Sequence, residues 1–74
     1  MAGGGKMQII KITDYNFIEL LEVDYKTENV IFRWINKGKR GRKYKARIRY
    51  THNGEQGKPY FNSYNLSISL EGRI

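Results

Sequence analysis

The segment that most limits the fold is KYKARIRYT, residues 43–51, in which Lys43, Lys45, Arg47, Arg49 and Thr51 alternate with Tyr44, Ala46, Ile48 and Tyr50. Successive side chains of a strand point to opposite faces, so a period of two specifies a β-strand with one face on a core and a cationic face in water. A disordered basic tail has no reason to hold an isoleucine and two tyrosines in register. The parity rule therefore assigns Tyr44, Ala46, Ile48 and Tyr50 to the interior.

Other segments read the same way. Asn53-Gly54 adopts positive φ readily and marks a hairpin, with Gly57 and Pro59 expected to extend its loop. Beyond it, Tyr60, Tyr64, Leu66, Ile68 and Leu70 share one parity against Ser63, Asn65, Ser67 and Ser69. This predicts one last strand over about 60–70, with Phe61 on the face opposite Tyr64 and Leu66. NVIFRWIN (29–36) is apolar at both parities and is expected to be the central strand, covered on both faces, with Trp34 in the core. KMQIIKIT (6–13) is a further strand.

Residues 14–25, DYNFIELLEVDY, admit two readings. Phe17, Leu21, Val23 and Tyr25 fit a strand, whereas Phe17, Leu20, Leu21 and Asp24 fit a helical stripe capped by Thr13 or Asp14. The short connection at 25–29 favours the strand, because it closes a hairpin between 17–25 and 29–36. The expected fold is all-β, with room for one short helix at 14–25. It is a small antiparallel barrel or a strongly twisted sheet of about five strands, since closure or twist protects edges from pairing with other chains. Residues 1–5, with three consecutive glycines, are expected to be a flexible leader, and 6–74 to form one small domain.

Charge is segregated along this frame. The net charge is +7, and no Asp or Glu occurs between Asn29 and Gly54, while Asp14, Glu19, Glu22, Asp24 and Glu28 crowd the preceding hairpin. Concentrating like charge costs self-repulsion and points to a partner that offsets it. KGKRGRK (37–43) is expected to be a flexible loop continuous with the cationic face of 43–51. Cations at every second strand position lie about 6–7 Å apart, close to the phosphate repeat of a nucleic-acid strand. The candidate nucleic-acid-binding residues are thus Lys37, Lys39, Arg40, Arg42, Lys43, Lys45, Arg47 and Arg49. Among them Arg40, Arg42, Arg47 and Arg49 suit base edges, because a guanidinium fork bonds bidentately. Lys37, Lys39, Lys43 and Lys45 suit phosphates. The acidic hairpin at 14–28 is expected to face away from this surface. Tyr60, Phe61 or Tyr64 would stack on unpaired bases if exposed beside it, and would otherwise fill the core.

Catalytic and metal chemistry find little footing. There is no cysteine and a single histidine, His52, which sits beside the Asn53-Gly54 turn, so neither a nucleophilic triad nor a zinc site can be assembled. Glu19 with Glu22, or Asp24 with Glu28, are candidate carboxylate pairs that Asp14 and Asp24 could join, and an acidic surface hairpin is the commoner meaning of such a pattern. No phosphate-binding glycine loop or dinucleotide fingerprint is present. No cofactor is expected, and no run of apolar residues is long enough for a spanning helix. The sequence reads as a non-enzymatic module that binds DNA or RNA, cytoplasmic or associated with a nucleoid or nucleus. The alternative is an interaction or inhibitor protein of viral or mobile-element type whose basic face meets an acidic protein, with head-to-tail self-association open to it.

Overall fold

The computed structural model describes residues 8–52 and 54–71, so the expected leader, Asn53 of the hairpin pair and residues 72–74 lie outside the described residues. Strands β1 (Gln8–Lys11), β2 (Asn16–Asp24), β3 (Asn29–Asn36) and β4 (Lys39–Arg47) form an antiparallel meander in the order β1-β2-β3-β4. Strands β5 (Arg49–His52), β6 (Glu55–Ser63) and β7 (Leu66–Ser69) form a second antiparallel sheet in that order. Among the described residues there is no helix, and hence none long and apolar enough to cross a membrane.

The ambiguity at 14–25 resolves as a strand. β2 pairs with β1 on one side and β3 on the other, which a helix could not do. Its reversal into β3 is built by Asp24, whose Oδ1 accepts the backbone N–H groups of Lys26 and Thr27 at 3.0 and 3.3 Å, and by Glu28 at φ 61°.

Five expected strands become seven because the last two each divide. Residues 43–51 do not run through: the chain turns at Ile48, which is buried, donates its N–H to Glu28 O at 2.9 Å, and passes the chain from one sheet to the other. Residues 60–70 are cut by a two-residue turn at Tyr64-Asn65, with φ of 49° and 63°, that sets Ser63 opposite Leu66. A tyrosine in the left-handed region is costly, and no Gly announces this turn. Ile68 and Leu70 are buried as expected, but the reversal brings Phe61 onto their face. Phe61 is wholly buried opposite Ile68, whereas Tyr64 and Leu66 are exposed.

Two expected loops are also corrected. Residues 37–43 are not a flexible loop: Lys37-Gly38, at φ 52° and 81°, make a tight turn, and 39–43 belong to β4. Gly57 and Pro59 lie within β6, where the register slips between Thr51↔Gln56 and Arg49↔Tyr60. An irregularity is where a strand tolerates proline, which has no N–H to give a ladder.

The core lies between the sheets. Ile18, Leu20, Val30, Phe32 and Trp34 from the first meet Phe61, Ile68, Leu70 and the corner residue Ile48, with the Phe32 and Phe61 rings 4.8 Å apart. Each such side chain contributes roughly 1.5–3 kcal/mol relative to exposure. β3 is covered unequally, with Val30, Phe32 and Trp34 buried and Ile31, Arg33 and Ile35 half-buried on the outer face. Ala46, Ile48 and Tyr50 pack into or against the core, whereas Tyr44, whose ring stands beside Phe32, is 44% exposed rather than interior.

Candidate nucleic-acid interface

β4 is an edge strand of the first sheet, and every residue in it except Ala46 is exposed. It carries Lys39, Arg40, Arg42, Lys43, Lys45 and Arg47, with Lys37 in the turn before it and Arg49 just past the Ile48 corner. The eight candidate cations therefore follow one continuous stretch of surface backbone. A register shift sets their faces. Lys43 pairs with Arg33 but Arg40 pairs with Ile35, so β4 holds one extra residue around Gly41 and Arg42. Arg40, Lys43, Lys45 and Arg47 consequently all lie opposite odd-numbered β3 residues and share the outer face. Arg49 stands beyond the corner, where it lines a cleft of about 460 Å³ with Arg47, Glu28, Gln56 and Tyr60.

The acidic hairpin does not face away. Glu19, only 2% exposed, projects from β2 onto this same outer face, and its Oε1 lies 3.2 Å from Arg33 Nε and 3.3 Å from Arg40 Nε. Glu28 reaches Arg47 at 3.4 Å. Strand pairing causes this: β2, β3 and β4 are neighbours, so side chains distant in sequence become cross-strand partners. The cationic stretch is thereby sorted. Arg40 and Arg47 are oriented by carboxylates, whereas Lys37, Lys39, Arg42, Lys43, Lys45 and Arg49 have no carboxylate partner among the described residues.

Of the candidate aromatics, Phe61 is core and Tyr60 is half-buried, its hydroxyl donating to Thr51 O at 2.7 Å. Tyr64 is 75% exposed and stands beside Trp34, ring centroids 5.6 Å apart. It borders a groove of about 280 Å³ between β4 and β6, whose other walls include Tyr44, Lys45 and Asn62, with Phe32 beneath. The sequence pattern missed Tyr44. Its parity is that of the core, and only its place on the outermost strand keeps it at the surface.

Two further carboxylates of the hairpin, Asp14 and Asp24, have structural employment. Asp14 pairs with Lys11 at 3.3 Å, and Asp24 caps its turn. Hydrogen bonds from Thr27, side chain first and then backbone, together with Lys26 hold the Asp24 carboxyl below its ordinary 3.8. Among the described residues no three acidic or histidine side chains gather in a way that would hold a metal, and the His52 side chain lies outside what is described. Comparison with models of protein families, with curated proteins and with solved structures finds no match to this chain.

Proposed function

We propose that this chain is a small, non-enzymatic nucleic-acid-binding module that lays its β4 strand and the turn before it along a phosphate backbone. One observation carries the reading: an edge strand presents Lys39, Arg42, Lys43 and Lys45, exposed and without carboxylate partners among the described residues. Lys37 and Arg49 extend the row at either end. Unneutralised cations at strand spacing suit a polyanion, whose condensed counterions are released as phosphates take their place. Arg42 and Arg49 have their guanidinium forks free for base edges or phosphates, while Arg40 and Arg47 enter binding already oriented by Glu19 and Glu28. Engagement of those two acids within the chain favours an external polyanion over head-to-tail pairing of copies. The module acts where its nucleic acid is, in cytoplasm, or in nucleoid or nucleus if that nucleic acid is DNA.

The test is fluorescence anisotropy of labelled DNA and RNA oligonucleotides, single- and double-stranded, at two salt concentrations. A variant with the cations of 37–49 replaced by Gln runs in parallel. Micromolar or tighter binding that weakens steeply with salt and disappears in the variant is expected. Absence of binding at low salt, or binding indifferent to the replacements, would overturn the reading and turn the search to an acidic protein partner.

A further inference from the structure

Resting on that reading, we infer that the groove between β4 and β6 is a stacking site for an unpaired nucleobase, so that the module takes single strands in preference to duplex. Two tyrosines border it. Tyr44 comes from β4 and stands beside buried Phe32, with ring centroids 6.0 Å apart, while Tyr64 comes from the β6–β7 turn and stands beside buried Trp34 at 5.6 Å. Each exposed ring is thus backed by a core ring, which limits its movement and lowers the entropy lost when a base settles on it.

The groove exists because β4 and β6 approach one another without forming a ladder. At about 280 Å³ it falls just below the roughly 300–1,000 Å³ of clefts for drug-sized molecules, a scale suited to one flat ring. Its polar lining fits the edge of a base. Ser63 Oγ accepts the Trp34 indole N–H at 3.0 Å and retains its own proton to donate, and Asn62, whose Oδ1 accepts from Ser67 at 3.2 Å, retains its amide N–H groups. Lys45 lines the same groove, and Lys43 and Arg42 follow on β4, so a strand whose base enters here has its phosphates beside cations. This charge complementarity specifies a nucleic-acid strand as occupant.

The local backbone points the same way. Tyr64 occupies a turn position at φ 49° where Asn or Gly would sit without strain. A bulky aromatic held there against the preference of the turn, and 75% exposed, suits contact with a ligand better than it suits the fold.

The experiment compares anisotropy titrations of a short labelled oligothymidine, an abasic strand of the same length and backbone, and a duplex of that length, all at one salt concentration. Wild-type protein is expected to bind oligothymidine about 5- to 150-fold more tightly than the abasic strand, the range for stacking one base. It is also expected to prefer oligothymidine to duplex. Tyr64→Asn, which suits the turn, and Tyr44→Thr, which suits a strand, should each erase most of that advantage and leave abasic affinity unchanged. Tyr44→Phe and Tyr64→Phe should keep it. Equal binding of the abasic strand and oligothymidine by the wild type would overturn the stacking site whatever the variants do, while leaving a salt-steep phosphate interaction intact. Failure of all three probes to bind would overturn both it and the function on which it rests.

Discussion

The indole N–H of Trp34 donates to Ser63 Oγ at 3.0 Å, joining β3 of the first sheet to β6 of the second across the core. Trp34 is buried, so its donor has no water to turn to if that oxygen is lost. Ser63→Ala is therefore expected to cost about 1–3 kcal/mol. Urea unfolding followed by the single tryptophan would measure it, and a change within error of zero would show that the bond does not couple the sheets.

Ile48 is the hinge of the architecture, since the chain changes sheets there and the side chain sits at 2% exposure. Ile48→Val should cost about 0.5–1.5 kcal/mol and Ile48→Ala about 2–5 kcal/mol. Against a total of roughly 5–15 kcal/mol, the second loss should lower the melting temperature sharply while the first leaves a folded protein. Equal melting temperatures for the two variants would mean that the corner packs less tightly than its burial indicates.

Glu19 Oε1 accepts a hydrogen bond from Arg40 Nε and is the ion-pair partner of Arg33 at 3.2 Å, on a half-covered outer face. Glu19→Gln leaves the mostly covered Arg33 guanidinium without its counter-charge and is expected to destabilise by about 2–4 kcal/mol, below the buried-pair range because half-exposed Arg40 is screened. Replacing both partners, Glu19→Leu with Arg33→Met, should restore most of the loss, as apolar packing avoids the cost of desolvating charge. A double variant no more stable than Glu19→Gln would refute that account of the cluster.

Much of this was legible in the strand patterns. The β2–β3 hairpin, the central place of β3 and the outward cations of β4 all follow from parity and connection length, which are local properties. Parity failed wherever the register did. A bulge at Gly41-Arg42 moved Arg40 onto the face of Lys43, and a turn built on Tyr64 put Phe61 on the same face as Ile68. Gly41 and Asn65 are types that suit a bulge and a left-handed turn, but neither fixes the register, which is decided by which strand pairs with which. The neutralisation of Arg40 and Arg47 was hidden for the same reason: Glu19 and Glu28 are far from them in sequence and adjacent only once three strands are laid side by side.

Asp24 gives the fold a defined response to acid. Its carboxyl is held below its ordinary 3.8 by hydrogen bonds from Thr27, so the folded state binds this proton less readily than the unfolded chain does. The resulting stability is complete above that ordinary value and is lost as pH falls through the lower folded one. Urea stability should therefore drop as pH falls below that ordinary value, and Asp24→Asn, which keeps the acceptor oxygen but cannot titrate, should reduce the drop. An NMR titration placing the Asp24 carboxyl at or above its ordinary value would remove the basis for the effect.

Lys37 allows fold and function to be separated at one position. It sits at φ 52° before Gly38 at φ 81°, the first place of a two-residue turn in which Asn-Gly is the favoured pair. Its N–H donates to Tyr15 O at 2.8 Å, a backbone bond that substitution leaves in place. Lys37→Asn should raise stability by about 0.5–1 kcal/mol by relieving left-handed strain. If the ammonium meets a phosphate, the same change should reduce the log–log salt dependence of oligonucleotide binding by about one unit. A variant that gains stability with an unaltered salt slope would confine Lys37 to the turn and move the boundary of the interface to Lys39.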